Sequence, residues 1–137
     1  MANTGYSWDD AWTSVDAAIV LTQGGTTEDF SAVLNLHGKA ACLISIDADY
    51  SDHDKVTAGL FVYLVRERGF GTYEVENDKP WGFEMPFTAN TERARVFFLD
   101  AAQWNKFKIF LDWDNTTAGA EVTVQTDIKY ATVPVAS

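Results

Sequence analysis

Few residues in this chain have the types and spacing that nucleophilic catalysis requires. A serine or cysteine nucleophile needs a base within hydrogen-bond reach, usually a histidine, and the two histidines are His37 and His53. The one cysteine, Cys42, falls on the apolar face of an alternating segment, where burial raises the pKa of a thiol and lowers its reactivity. No Gly-x-Ser-x-Gly sequence is present. We therefore expect no catalytic residue and no cofactor, and a protein that is not an enzyme.

The acidic run over 47–54 is the main candidate for a metal site. Its carboxylates recur at alternate positions, in Asp47 and Asp49 and again in Asp52 and Asp54. Calcium takes about six to eight oxygen ligands of this kind. The run nevertheless lacks the central glycine and the closing glutamate of an EF-hand loop. We predict a solvated strand end that discourages edge pairing and binds no metal.

A second carboxylate pair, Asp112 and Asp114, would lie about 7 Å apart along one face of a strand. The carboxylates of inverting glycosidases have a comparable separation. An exposed pair has no physical reason to hold two different pKa values, which the roles of acid and base require. We therefore assign this pair no catalytic role.

Five aromatic residues stand outside the segments that form a core. Tyr6, Trp8 and Trp12 fall in a polar, turn-rich N-terminal segment, Phe70 lies between two glycines, and Trp81 follows a proline. Exposed aromatic rings suit either the stacking of sugars or an apolar patch for a protein partner. Aromatic side chains are also the usual anchors of protein interfaces. We predict that these five residues bind a partner, although several of them would fill the core if it extended this far.

Alternation of apolar and polar residues with a period of two dominates the rest of the chain. It is clearest in 119–130, 106–113 and 40–50, and it recurs in 93–99, whereas 58–66 is apolar on both faces, as in a central strand. Weaker candidates for strands are 18–22, 30–36, 72–76 and 82–87, the last bounded by prolines and expected at a sheet edge. The turn-forming residues between 106–113 and 119–130 predict a hairpin over 106–130.

About nine short strands separated by polar turns predict an all-β fold. We favour a two-sheet antiparallel β-sandwich of jelly-roll type over a small closed barrel. Residues 8–17 are the one candidate for a short helix. With no internal repeat and no linker, the chain divides into an N-terminal arm, 1–17, and a single β-sandwich domain, 18–137.

Length and charge exclude several classes of protein. The 137 residues suffice for one domain. Twenty acidic against ten basic residues leave a net charge of -10, and no spare positive charge to neutralise phosphates, so we expect no nucleic-acid partner. No apolar run approaches the roughly 20 residues that span a bilayer, and the N-terminus shows no secretory signal. We therefore expect no membrane partner and no need for an oxidising compartment.

The strand pattern, the aromatic arm and the acidic surface together resemble the small auxiliary proteins that decorate or cement the capsids of tailed bacteriophages. Several of those proteins are single β-sandwich domains of about this size. The resemblance implies a virion protein that is made in the host cytoplasm and added to the outer capsid surface. It further implies a dimer or trimer whose partners are other copies of itself and the major capsid protein.

Two alternatives from other classes remain open. A carbohydrate-binding β-sandwich module, for instance within a phage tail or a receptor-binding assembly, would share the jelly roll and the exposed aromatic residues. A small enzyme on a β-sandwich is the third class, and the missing catalytic motifs disfavour it. The position of the reading frame beside a major capsid protein gene would separate the virion interpretation from the others.

Overall fold

The computed structural model describes residues 5–23, 25–51, 56, 58–68, 71–73, 81–113 and 119–133. Every regular element in these residues is a β-strand, so the described part contains no helix that could cross a membrane. The strands are β1 (Ser7–Trp8), β2 (Thr13–Ser14), β3 (Ile19–Thr22), β4 (Glu28–Phe30), β5 (Leu34–Asn35), β6 (Ala41–Tyr50), β7 (Leu60–Arg66), β8 (Gly82–Met85), β9 (Glu92–Asp100), β10 (Lys106–Asp112) and β11 (Glu121–Thr132). The prediction of an all-β fold is confirmed.

The strands form two antiparallel sheets. The first sheet has the order β1-β11-β6-β9, with β2 and β3 also paired to β11, and the second has the order β4-β10-β7-β8, with β5 paired to β10. Early strands pair with late ones in a nested series, β3 with β11, β4 with β10, β6 with β9 and β7 with β8. Successive pairs of this series alternate between the sheets, which is the jelly-roll arrangement of a sandwich. The predicted two-sheet sandwich is therefore confirmed, and the closed barrel is not observed.

Alternate residues of β6, β10 and β11 form the core between the two sheets, as the period-two pattern predicts. The pattern identifies them because every second side chain of a strand faces the opposite sheet. The fully buried side chains from these strands include Cys42, Ile44, Ile46, Ala48, Phe107, Ile109, Val122 and Ile128. Trp113 and Tyr50 are the largest buried side chains, and their rings lie 6.0 Å apart.

The predicted hairpin over 106–130 is wrong. Strand β10 pairs with β4, β5 and β7, whereas β11 pairs with β1, β2, β3 and β6, so the two strands belong to different sheets. The pattern of a strand shows which of its faces is buried, but it does not show which strand lies beside it. In a jelly roll the two late strands pair with earlier strands of different sheets.

The helix predicted at 8–17 is also wrong, because this segment lies extended along β11. Ser7–Trp8 and Thr13–Ser14 pair with β11, and the Asp9 N–H donates to the Tyr130 carbonyl oxygen at 3.0 Å. The Asp9 carboxylate in turn accepts from the Tyr130 N–H at 3.0 Å. An edge strand thus supplies the backbone hydrogen bonds that a helix would have made internally.

Strands β8 and β9 end their sheets on the same flank of the sandwich, and the edge position expected for 82–87 is confirmed for β8. In β9, Val96 and Phe98 face solvent, 53% and 49% exposed. Phe97 packs edge-on against Phe83 of the second sheet, and the Arg95 guanidinium lies 4.1 Å from the centre of the same ring. Charges that point inward from an edge strand are a recognised obstacle to further strand pairing.

Candidate functional site

The groups considered for catalysis are not assembled in the part of the chain that the structure describes. Cys42 is fully buried, and its burial raises the pKa of the thiol to about 12. His37 is exposed on a turn, where its backbone N–H donates to Asn35 Oδ1 at 2.9 Å. His53 and Asp114 lie outside the described residues. These positions offer no activated nucleophile.

The acidic run 47–54 is described only as far as Ser51, so Asp52 and Asp54 lie outside the described residues. Within those that are described, no three His, Cys, Asp or Glu side chains are arranged to hold a metal ion. A polar hollow of about 210 Å³ lies beside the end of β6, lined by Asp49, Tyr50, Ser51, Asn90, Glu121 and Thr123. The run itself stays a predicted strand end without metal.

The predicted partner-binding residues separate into two locations and one undescribed position. Tyr6, Trp8 and Trp12 lie on the outer face of the first sheet, where Tyr6 contacts Trp8 and Trp12 contacts Lys129, whereas Trp81 directly precedes β8 on the far flank. Phe70 lies outside the described residues. The fold therefore separates residues that the sequence predicts to act as one group.

The cluster on the first sheet includes a residue that the sequence did not single out. Phe98 of β9 lies 6.1 Å from the ring centre of Tyr6 and 6.2 Å from that of Trp8, and Tyr6 lies 6.0 Å from Trp8. Trp12 lies beside them on the same face, its ring 5.3 Å from Lys129 Nζ. We call Tyr6, Trp8, Trp12 and Phe98 the outer aromatic patch.

The outer aromatic patch crosses the whole width of the first sheet. Trp8 of β1 stands opposite Ala131 of β11, which stands opposite Ala41 of β6. Phe98 of β9 stands opposite Leu43 of β6. The rings of Trp8 and Phe98 therefore meet above β11 and β6, the two strands between β1 and β9. Ala41 and Ala131 are fully buried although they face outward. Their small side chains let the aromatic rings lie close to the sheet.

Large parts of the patch remain open to solvent. Tyr6 is 45% exposed, Trp12 40% and Phe98 49%, while Trp8 is partly buried between them. No described side chain covers these rings from outside. Exposed aromatic surface of this kind is a candidate interaction site. The alternation in 93–99 places Phe98 with Ala94 and Val96 on the apolar face, which predicts burial, but the structure turns this face outward and packs Phe97 against Phe83.

Carboxylates occupy the same outer face beside the patch. Asp47 of β6 stands opposite Gln125 and Ala94, and a hydrogen bond joins its side chain to that of Glu92. Burial, this hydrogen bond and the charges of Glu92, Asp49 and Asp127 raise the pKa of Asp47 from 3.8 to about 6. The first sheet thus presents an aromatic half and an acidic half.

Replacing Asp47 should stabilise the fold at neutral pH. The pKa of Asp47 is higher in the folded state than in the unfolded state, so its contribution to stability is present below pH 4 and is lost as the pH rises towards 6. We expect Asp47→Asn to raise the free energy of unfolding at pH 7.5, because it removes a charge that its neighbours repel, and to change it little at pH 4. The gain should be about 1 kcal/mol, since solvent weakens the repulsion at a partly exposed group. Urea titrations at both pH values measure the difference.

The matched control for this prediction is Asp10→Asn, which removes one negative charge from an exposed turn. Its effect on stability should be within about 0.5 kcal/mol at either pH. If Asp47→Asn and Asp10→Asn change stability equally at pH 7.5, the cause is the net charge of the chain and not the contact with Glu92.

Another row of aromatic side chains lies on the outer face of the second sheet. Phe110 of β10 lies 4.5 Å from Phe30 and 6.3 Å from Tyr63, and Tyr63 lies 6.1 Å from Phe61. Tyr63 also covers Gly82, where a Cβ atom would stand 2.3 Å from the Tyr63 ring. Only Phe30 of this row is strongly exposed, so the rings cover the sheet more than they extend from it.

Comparison with known proteins identifies no family for this chain: no family model and no characterised protein matches its sequence. Among solved structures, it is similar to the coat protein dimer of tobacco streak virus, with 16% sequence identity and a TM-score of 0.34, over 96% of this chain and 90% of that chain. Values this low establish no relationship, and the function proposed below depends on the surface of this chain alone.

Proposed function

We propose that this chain is a non-enzymatic structural protein of a virion, which decorates or cements a bacteriophage capsid by binding major capsid protein subunits and other copies of itself. The observation that carries the proposal is the outer aromatic patch. Three of its four rings are more than a third exposed on the outer face of the first sheet. Exposed aromatic surface of this extent is unfavourable unless a partner covers it.

The size of the patch suits a protein partner. Each aromatic side chain offers roughly 150–250 Å² for burial, and a stable interface covers roughly 800 Å² on each partner. Four such rings with their neighbours Leu43 and Val96 therefore supply the centre of one interface. Desolvated aromatic residues at the centre, surrounded by polar residues, are the usual arrangement of binding hot spots.

The orientation of the rings favours a protein over a sugar. Tyr6 and Trp8 stand at 90° to each other and Trp8 and Phe98 at 70°, whereas Tyr6 and Phe98 are 20° apart, so the three rings together do not form one flat platform. An uneven surface of this kind can interdigitate with protein side chains, whereas a sugar stacks on an exposed flat ring face. The fold itself does not decide between the two, because jelly rolls occur in capsid proteins and in lectins alike.

The charge of the chain fits a subunit that is made separately and added to a finished shell. A net charge of -10 keeps unassembled subunits apart in solution and limits association through the patch. The acidic half of the first sheet restricts the partner surface to one that is neutral or basic where it meets Asp47 and Glu92. On this proposal the work of the protein is mechanical, namely to bury surface across the joints between capsid subunits.

The test of this proposal removes the exposed rings without removing the arm. We expect the triple variant Tyr6→Ser, Trp12→Ser and Phe98→Ser to keep its β-type circular dichroism and to lose attachment to particles of the major capsid protein from the same genome by at least about tenfold. Trp8 is retained because it is partly buried against the sheet. Co-sedimentation with particles measures the attachment.

The matched control is Val20→Ser on β3, which removes an exposed apolar side chain from the same face of the first sheet, opposite Thr123 and outside the patch. Its attachment should equal that of the natural chain. If the triple variant also attaches fully, the patch is not the docking surface. If the natural chain ignores the particles and instead binds glycans in a way that Trp12→Ser abolishes, a carbohydrate-binding function replaces this one.

A further inference from the structure

An apolar cleft opens between the two sheets on the flank where β8 and β9 end them. Its volume is about 210 Å³, and its lining consists of Leu64, Trp81, Gly82, Phe83, Arg95 and Phe97. Trp81, Gly82 and Phe83 come from the β8 side, and Arg95 and Phe97 from β9. The cleft therefore lies on the inner side of β9, and the outer aromatic patch lies on its outer side.

Two guanidinium groups stand on aromatic rings at this cleft. Arg95 lies 4.1 Å from the ring centre of Phe83. Arg66 lies 5.4 Å from that of Trp81 and 4.9 Å from that of Trp104. Among the described residues, no carboxylate oxygen lies within 4 Å of either guanidinium, although the chain carries 20 acidic residues. Arg95 thus lines an apolar cleft of an acidic protein without an anionic partner among these residues, and Arg66 lies beside the cleft at Trp81.

An anion can reach Arg95 from solvent, because its side chain is exposed at the cleft. The contact of the Arg95 guanidinium with the Phe83 ring does not use the N–H groups as donors to an oxygen, so they can donate to a carboxylate. Charge-assisted hydrogen bonds of this kind are about twice as strong as neutral ones. The apolar walls beside them accommodate an aliphatic or aromatic side chain.

The backbone next to the cleft is arranged to receive an extended chain. Within the described residues, β8 pairs on one side only, with β7, so its second edge has backbone donors and acceptors without a strand partner. Gly82 also lines the cleft, while its Cα faces the Tyr63 ring on the other side of the sheet. Extended peptides add to edges of this kind, and alternate side chains enter the adjoining pockets.

We propose that this cleft binds an extended segment of a protein partner that carries an apolar side chain and, two residues later, a carboxylate. The apolar side chain enters between Trp81, Phe83 and Phe97, and the carboxylate accepts hydrogen bonds from Arg95. A spacing of two residues places both groups on the same face of an extended strand. This interface goes beyond the outer aromatic patch, and together the two surfaces would let one subunit hold two neighbours.

A short peptide tests the proposal directly on the whole chain. The probe is the capped hexapeptide acetyl-Thr-Phe-Thr-Asp-Thr-Val-amide, and its control carries Asn in place of Asp. We expect saturable changes in the amide spectrum of the chain, centred on β8 and β9, with the Asp peptide bound at least about tenfold more tightly than the Asn peptide. Arg95→Gln should remove this preference, and Arg95→Lys should retain part of it.

Arg93→Gln is the matched control, since Arg93 is on the same strand but donates to Thr88 Oγ1 at 2.6 Å and does not line the cleft. It should bind both peptides as the natural chain does. The proposal is wrong if no saturable binding occurs up to millimolar peptide, if the Asp and Asn peptides bind equally, or if Arg95→Gln retains the preference. Loss of capsid attachment in the triple patch variant bears on the outer surface alone, so the two proposals fail independently.

Discussion

Val124→Asp should reduce the free energy of unfolding by about 4 kcal/mol or more, the largest effect of a single substitution that we expect in this protein. Val124 is buried in the middle of β11, opposite Ala48 on one side and Ile19 on the other. It also borders a small cavity of about 20 Å³ whose lining includes Asp16 and Asp29. A new carboxylate would thus be desolvated and placed near two others.

The environment of Asp29 already shows this effect. Burial and the charge of Asp16 raise the pKa of the Asp29 carboxyl above its ordinary value. The carboxylate of Val124→Asp would be desolvated in the same way, and both Asp16 and Asp29 would repel its charge. Thermal and urea unfolding, followed by circular dichroism, measure the loss of stability in the variant.

The control is Thr123→Asp, one residue earlier on the same strand, where the side chain faces outward. It adds a like charge opposite Asp49 and should cost less than about 1 kcal/mol. Equal stabilities of the two variants would mean that β11 presents its other face to the core. That outcome would contradict the sandwich described above.

Tyr50→Phe should cost about 3 kcal/mol, because one hydroxyl group joins the two sheets. Tyr50 lies at the end of β6 in the first sheet, and its hydroxyl donates to the Met85 carbonyl oxygen of β8. The hydroxyl oxygen of Tyr50 also accepts from the Leu60 N–H of β7 at 2.8 Å. Phenylalanine fills the same space but leaves a buried N–H and a buried carbonyl without partners, and each such loss costs about 1–3 kcal/mol.

The same contact predicts a change at alkaline pH. Burial, as the largest cause, raises the pKa of Tyr50 from 10 to about 12. The folded state therefore holds this proton more tightly than the unfolded state, and the contribution of Tyr50 to stability falls as the pH rises from 10 to 12. Unfolding experiments over this range should show a smaller decline for Tyr50→Phe than for the natural chain.

Tyr73→Phe is the matched control for Tyr50→Phe. The Tyr73 hydroxyl donates to Glu67 Oε2 at 3.1 Å in a partly exposed position, so water replaces the lost partner and the cost should stay below about 1 kcal/mol. If the two variants lose equal stability, the Tyr50 hydroxyl does not join the sheets in the way described.

The sequence by itself identified the long strands β6, β10 and β11 and their buried faces, whereas it missed β1 and β2 and gave no correct buried face for β9. Residues 40–50, 106–113 and 119–130 sort their side chains with a period of two, and the apolar set lies between the sheets in each case. Burial of apolar area is the dominant contribution to folding, so a strand that buries one face carries a regular apolar pattern along its sequence. The buried thiol of Cys42 and the edge position of β8 follow from the same local rules.

Only the tertiary structure decided which strands are neighbours, and the candidate sites depend on that choice. Strands β10 and β11 pair with strands of different sheets. Trp8 lies over Ala41 and Ala131, and Tyr6 meets Phe98 across the sheet. Each of these contacts joins residues that are far apart in the chain. The placement of Arg95 on Phe83 depends in the same way on two sheet edges that share a flank. Local alternation carries no information about such long-range pairing, because any strand with one apolar face can pack in several registers and orders, and the total burial of the whole sandwich selects among them.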